Sequence, residues 1–453
     1  MKINQRPLSG GILLLFLIMG FATAQPAGFD ENTDGIHAGV MSCYGSTCHG
    51  RQESTGVVVL QNEIQIWQDE TTVAGAHVRA YKILFDDRSQ AIAEKMNIDA
   101  AHTAPECLSC HSDPVPASLR GPQFQISDGI GCEACHGASG GWLTSHYAEG
   151  ATHAENISNG LYPTEDPLAR ADLCLSCHLG SSREDQFVSH RLMAAGHPRM
   201  SFELDLFTAL QAHHLEDYDY EERKGLQGGA RVWAIGQAKA LQNQLDLFGN
   251  SDHARDGLFP ELIFYDCFAC HREISDDPNW RPVVRENPLR PDIRGVPKFN
   301  DAHMIMLSIA ASSLSDEARQ SVDAQTFAFH RALETGIGVD EEITAYMALS
   351  ARLIRQFQRK QFTRSDYLSM IRNTLSRSTA AAYTDYQTTE QVVMAVDTLL
   401  NAMVVSGMTT RQAVSIMRED LEIAYDAVLD PNDYDQDQLI AALDRIAASL
   451  ETI

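Results

Sequence analysis

Positive charge is scarce in this chain. Across 453 residues, 35 Lys and Arg stand against 61 Asp and Glu, a formal net charge of −26. That excludes a nucleic-acid grip, which is built on Lys and Arg, and speaks against an anionic membrane surface as the main partner. It favours solubility and the steering of basic partners. Long apolar runs are missing beyond the N-terminus, so no later stretch reads as a bilayer span, which takes about 20 apolar residues. Nucleotide and metalloprotease signatures are missing too: there is no GxGxxG, Walker loop or HExxH. Cysteine is absent past Asn300. The rest of the composition, 44% apolar and 21% charged, excludes a disordered or collagen-like chain.

The first 24 residues read as a secretory leader. Lys2 and Arg6 form a positive start, ILLLFLIMGF (12–21) an apolar stretch too short to span, and Ala22-Thr23-Ala24 a cleavage site. The expectation is export, to the periplasm first, with the cell surface or the extracellular medium as alternatives.

Ten cysteines in an exported chain would ordinarily predict disulfides. Eight of them instead form CLSCH (107–111), CEACH (132–136), CLSCH (174–178) and CFACH (267–271). C-x-x-C-H is the signature of covalent c-type haem attachment. Two thiols at that spacing reach the two vinyl groups of one porphyrin, and the histidine that follows becomes the proximal iron ligand. Four-thiolate zinc explains the pairs but not the histidine after each. The remaining cysteines lie in CYGSTCHG (43–50), two residues wider. A Cys43–Cys48 disulfide is the competing reading there. A longer loop can still close around a porphyrin edge, and His49 stands where the other motifs have theirs. The expectation is five haems, attached through Cys43 and Cys48, Cys107 and Cys110, Cys132 and Cys135, Cys174 and Cys177, and Cys267 and Cys270, with His49, His111, His136, His178 and His271 proximal.

Twelve of the 17 histidines remain: His37, His77, His102, His146, His153, His190, His197, His213, His214, His253, His303 and His330. Many lie among the motifs, which points to distal ligands, a role that neutral imidazole suits. His77 sits in a helical-looking stretch with Trp67 ready to pack a porphyrin. His146 follows the Gly-rich GASGGW, and His190 and His197 flank a short helix stopped by Pro198. His102 lies five residues before Cys107. These five are the distal candidates, with His77, His146 and His197 foremost; His153, His213 and His253 rank below them.

GIGCEACHG followed by a tryptophan and a histidine, the W…H…AY..L segment after the first motif, and CLSCHLGS together resemble the multihaem cytochrome c family of the nitrifiers' tetrahaem electron carrier, whose partner is hydroxylamine oxidoreductase. The likeness spans roughly residues 40 to 275. It implies stacked haem pairs, mostly bis-histidine ligated, in a mainly α fold with little sheet, and it carries over the attachment motifs with His77 and His146 as distal ligands. A fifth motif, the wide first motif and the haem-free C-terminal region depart from that carrier.

Residues 277–299 hold Pro278, Pro282, Pro288, Pro291 and Pro297 and read as a linker. The resulting division is 1–24 leader, 25–276 pentahaem domain, 277–300 linker and 301–453 a helical bundle. In that last part Ile343, Tyr346, Met347, Ser350, Leu353, Ile354 and Phe357 share one helix face. Gly407 with Thr409-x-x-Gln412 reads as a helix stop and capping box. DYQTTEQVVMAVDTLL (385–400) and DYDQDQLIAALDRI (433–446) form a weak repeat that implies two helical hairpins. Arg352, Arg355, Arg359, Lys360 and Arg364 read as a solvated helix face, or as a docking patch for an acidic partner.

With no other catalytic constellation, function falls to the haems. An electron carrier between redox proteins is the first expectation. A haem enzyme acting on a small nitrogen or sulfur oxyanion at one five-coordinate iron is the second, weakened because every motif ends in histidine rather than lysine. A subunit of an extracellular cytochrome filament is the third.

Overall fold

The computed structural model describes residues 35–53, 60–214, 228–250, 252–255, 261–267, 270–271, 276–277, 279, 289–290, 297–376, 383, 385–431 and 433–451. The leader and Pro278, Pro282, Pro288 and Pro291 lie outside the described residues. The fold is mainly helical, as expected of a cytochrome c with little sheet. Among the described residues, extended pairing is limited to two isolated bridges, His37 with Arg120 and Tyr265 with Phe299. No described helix is long and apolar enough to cross a membrane.

Up to residue 214 the helices are short, and their ends are set by local chemistry. Pro105 and Pro167 begin the helices Pro105–His111 and Pro167–His178, where proline's missing N–H is no loss. Asp166 caps the second, accepting from the Leu168 amide at 3.0 Å. Cys132–His136 stops at Gly137, whose φ is +77° and where a Cβ would lie 2.5 Å from the Gly160 carbonyl. Only glycine fits there.

Longer helices follow. Val339–Arg359 buries Ile343, Tyr346, Ser350, Leu353, Ile354 and Phe357 and half-buries Met347, the face expected from the periodicity, while Arg352, Arg355 and Arg359 are exposed. At its centre the fold differs from a simple two-part chain. Helix Ala230–Asn250, between the fourth and fifth motifs, packs on Pro167–His178 on one side and on Ala302–Ser312 and Val339–Arg359 on the other. Its Trp233, Ile235, Leu241 and Leu245 belong to the same core as the C-terminal helices. One apolar core therefore joins the cysteine-containing part of the chain to the cysteine-free part.

The expected capping box of Thr409 and Gln412 does not form, and a simple cap one residue later takes its place. Thr410 rather than Thr409 caps Arg411–Ser415, its hydroxyl accepting from the Ala413 amide at 3.1 Å, and Gly407 (φ +66°) stops the preceding helix. The Asp-Tyr repeat also serves two purposes. Asp385 caps Tyr386–Val405, whereas Asp433 and Tyr434 precede the cap Asp435 of Gln436–Leu450. Each of these helices packs on its predecessor, Arg364–Leu375 or Arg418–Ala427, so both hairpins form.

The described end of the proline-rich segment is knitted into this core. Lys298 O accepts from the Asp266 amide at 2.7 Å, the Asn300 amide donates to Phe264 O at 2.8 Å, and Phe299 is buried. Arg290 is buried as well, donating to Asp301 at 2.7 Å and to Asp385 at 3.0 Å, and His330 Nε2 lies 3.3 Å from Asp301. Burial alone would raise the Asp301 pKa, but the adjacent guanidinium wins and holds it well below the usual carboxylate range. That contribution to stability is fully present above the ordinary aspartate pKa of about 4 and is lost as pH falls from there toward the depressed native value. Arg290→Leu leaves two buried carboxylates without their counter-charge. It is expected to destabilise the fold by about 3–5 kcal/mol, read by urea unfolding followed by far-UV circular dichroism; a change within error would mean that the cluster is not a structural anchor.

Candidate haem-binding sites

In an α-helix, residues i, i+3 and i+4 share one face. C-x-x-C-H on a helical turn therefore presents both thiols and the imidazole together. Pro105–His111, Cys132–His136 and Pro167–His178 each end on the motif histidine. In the fifth motif the His271 amide donates to Cys267 O at 2.7 Å. In the wide motif the His49 amide donates to Cys43 O at 3.3 Å. The two extra residues are thus looped out through Gly45, which accepts from the Cys48 amide at 2.9 Å, and the closure from histidine to first cysteine is kept. All ten cysteines are free of disulfides.

Each proximal candidate faces another histidine from a distant part of the chain. Ring centres are 6.3 Å apart for His49 and His146, 6.3 Å for His111 and His197, 6.4 Å for His178 and His77, and 6.0 Å for His271 and His190. His136 faces two, His213 at 6.3 Å and His214 at 5.8 Å. An imidazole nitrogen bonds a first-row metal at about 2 Å, so two rings on opposite sides of one ion have centres about 6 Å apart. The spacing fits bis-histidine iron at every motif.

The rings are also aimed. A ligating imidazole commonly donates its second nitrogen to a carbonyl or carboxylate, which fixes its orientation. His49 Nδ1 donates to Glu63 (3.1 Å), His111 Nδ1 to Ala80 O (2.9 Å), His146 Nδ1 to Leu143 O (2.6 Å), His197 Nδ1 to Pro198 O (2.7 Å) and His213 Nδ1 to Gln211 O (3.1 Å). In each case Nε2 remains as the donor atom for a metal. Burial lowers the pKa values of His136 and His178 to about 4, so both rings are neutral near pH 7. Phe202 and Phe207 pack on His178, with ring centres 4.8 and 5.4 Å away. Trp67 is buried beside Cys132, its indole N–H donating to Ile130 O at 3.1 Å.

Of the five distal candidates, His77, His146, His190 and His197 each meet a motif histidine, and His102 does not. Its ring lies on Phe85, 4.4 Å between centres. Sequence reading ranked His213 low and gave His214 no rank, yet both face His136. The only available signal was a pair of adjacent histidines just past a helix end. The other five histidines have partners elsewhere. His37 bonds Asp113 at 2.7 Å, His153 pairs with Glu165, His253 lies on Phe187, His303 bonds Gln237 at 2.8 Å, and His330 meets Asp301.

The motifs also come together in pairs. Cys43 lies close to Cys132, and Cys110 to Cys177. Glu133, inside the third motif and buried, accepts from the amides of Ala38, Gly39 and Ser139 at 2.8, 2.7 and 2.8 Å, tying the segment before the first motif to the third. At the fifth motif the haem-free region takes part. On helix Tyr386–Val405, Gln387 donates to Cys267 Sγ at 2.8 Å, Glu390 pairs with Arg199, and Gln391 donates to Phe202 O at 3.0 Å.

Residues 42–137 match the family model described as cytochrome c554 and c-prime. The match covers about a fifth of the chain and its first three motifs. It supports a c-type cytochrome with covalently bound haem iron, engaged in electron transfer. No curated protein and no solved structure matches the chain.

Proposed function

We propose that this chain is a pentahaem cytochrome that passes electrons between redox proteins outside the cytoplasm, with five covalently attached haems, each held by two cysteines and two histidines. The observation that carries this reading is the facing histidine opposite every motif histidine. Haem iron, when bound, supplies a one-electron ferric–ferrous couple. The chain's own residues do the rest. Neutral imidazoles offer two donors per site, and their anchored Nδ1 atoms hold the second donor in place. Two histidines at each site would fill both remaining ligand positions of a bound iron and leave a small substrate none, which favours a carrier over an oxyanion enzyme. The contacts between the first and third motifs, and between the second and fourth, bring attachment sites side by side as a wire needs. The C-terminal helices act as a scaffold: helix Tyr386–Val405 braces the 199–203 segment and the fifth attachment cysteine. A net charge of −26 suits partners with basic docking faces. Export is supported by the leader reading and by the covalent haem motifs.

The test is a spin count by EPR on the fully oxidised, purified protein. Five low-spin ferric haems per chain are expected. One high-spin haem among five would move the assignment to the enzyme.

A further inference from the structure

The third motif is unlike the other four, because His136 is faced by two histidines. We propose that this haem has two alternative distal ligands, His213 and His214, so that either imidazole alone keeps its iron six-coordinate. This rests on the bis-histidine reading above.

The geometry is specific. One nitrogen from each of His136, His213 and His214 lies within 4.8 Å of the other two. Two donors on opposite sides of an ion bonded at about 2 Å are about 4 Å apart, so both His213 and His214 are within a small adjustment of that position. Adjacent residues in extended chain point to opposite sides, yet these two rings have centres 4.0 Å apart and look at the same partner. The backbone that achieves this follows helix Leu204–Leu210, whose last turn Gln211 closes by donating its amide to Phe207 O at 3.0 Å. The same Gln211 orients His213 through its carbonyl at 3.1 Å, with its side-chain amide also 3.1 Å from Nδ1. His213 is thus the anchored ligand. His214 has its ring centre nearer to His136 and stands as the replacement. Exchange between them would break the bond to one imidazole before the other binds, so the second histidine would restore six-coordination and shorten the time for which a small molecule could reach the iron.

The test uses the full-length haem-loaded protein and reads spin state by EPR and magnetic circular dichroism at pH 7. Wild type is measured first, and fewer than five low-spin haems there would overturn the bis-histidine reading itself. Given five, His213→Ala and His214→Ala are each expected to remain fully low-spin, and the double variant is expected to show one high-spin haem in five. A high-spin haem in His213→Ala alone makes His213 the sole ligand and overturns the proposal. The same result in His214→Ala alone overturns it in favour of His214. A double variant that stays low-spin means neither residue ligates. Should alanine impair haem loading, glycine at both positions with added imidazole replaces it, and recovery of the low-spin signal at one haem is the expected result; no recovery overturns the proposal.

Discussion

Serine at both Cys43 and Cys48 is expected to remove one haem in five, bringing the pyridine haemochromogen count to four per chain and lowering the intact mass by one haem. The expectation comes from how the wide motif folds. Attachment requires two thiols and an imidazole on one side of a turn, and in a regular motif that follows from the i, i+3, i+4 spacing. Residues 43–49 cannot use that spacing. They reach the same end by returning the His49 amide to Cys43 O and spending the surplus residues on a loop at Gly45. His49 then faces His146 at the same separation as the other pairs, and Glu63 fixes its ring. A disulfide between Cys43 and Cys48 would need none of this. It predicts four haems in wild type and four in the variant, with one disulfide lost by mass. An unchanged haem count on substitution would therefore remove the first site and leave a tetrahaem chain.

What was readable in the sequence divides along the range of the interaction. Attachment motifs are local: cysteine, cysteine and histidine sit within one turn, so spacing alone predicts the face they share. The helix of Ile343, Tyr346 and Phe357 was readable for the same reason, since burial on one face imposes a period. Distal ligands are tertiary. His102 is close to Cys107 in sequence, but the helix that starts at Pro105 carries the motif away and leaves His102 on Phe85. His146 follows a glycine loop, and that loop delivers it to His49 rather than to its neighbour His136. His213 and His214 had no local cue beyond adjacency. Arg290 was illegible for another reason: a proline-rich stretch reads as exposed, and nothing nearby announces that Asp301 and Asp385 will bury a guanidinium between them.

His197→Ala is expected to open one iron. The residue follows the six-residue helix His190–Ala195, which is pinned independently of the imidazole. Lys95 donates to Ala195 O at 2.9 Å, Arg88 donates to Gly196 O at 2.8 Å, and Leu192 and Ala195 pack on Ile92. Removing the ring leaves these supports in place, so the effect falls on His111, which loses its facing donor. The oxidised variant should show one high-spin haem in five, and the reduced variant should bind carbon monoxide at one haem where wild type binds none. Added imidazole should restore the low-spin state. His190→Ala should do the same opposite His271. His190 opens this helix and His197 lies just past its end, so one short element serves two sites. If His197→Ala remains entirely low-spin, the 6.3 Å pairing of His111 and His197 is packing alone, and the second site draws its distal ligand from elsewhere, because an iron ligated only by His111 would be high-spin.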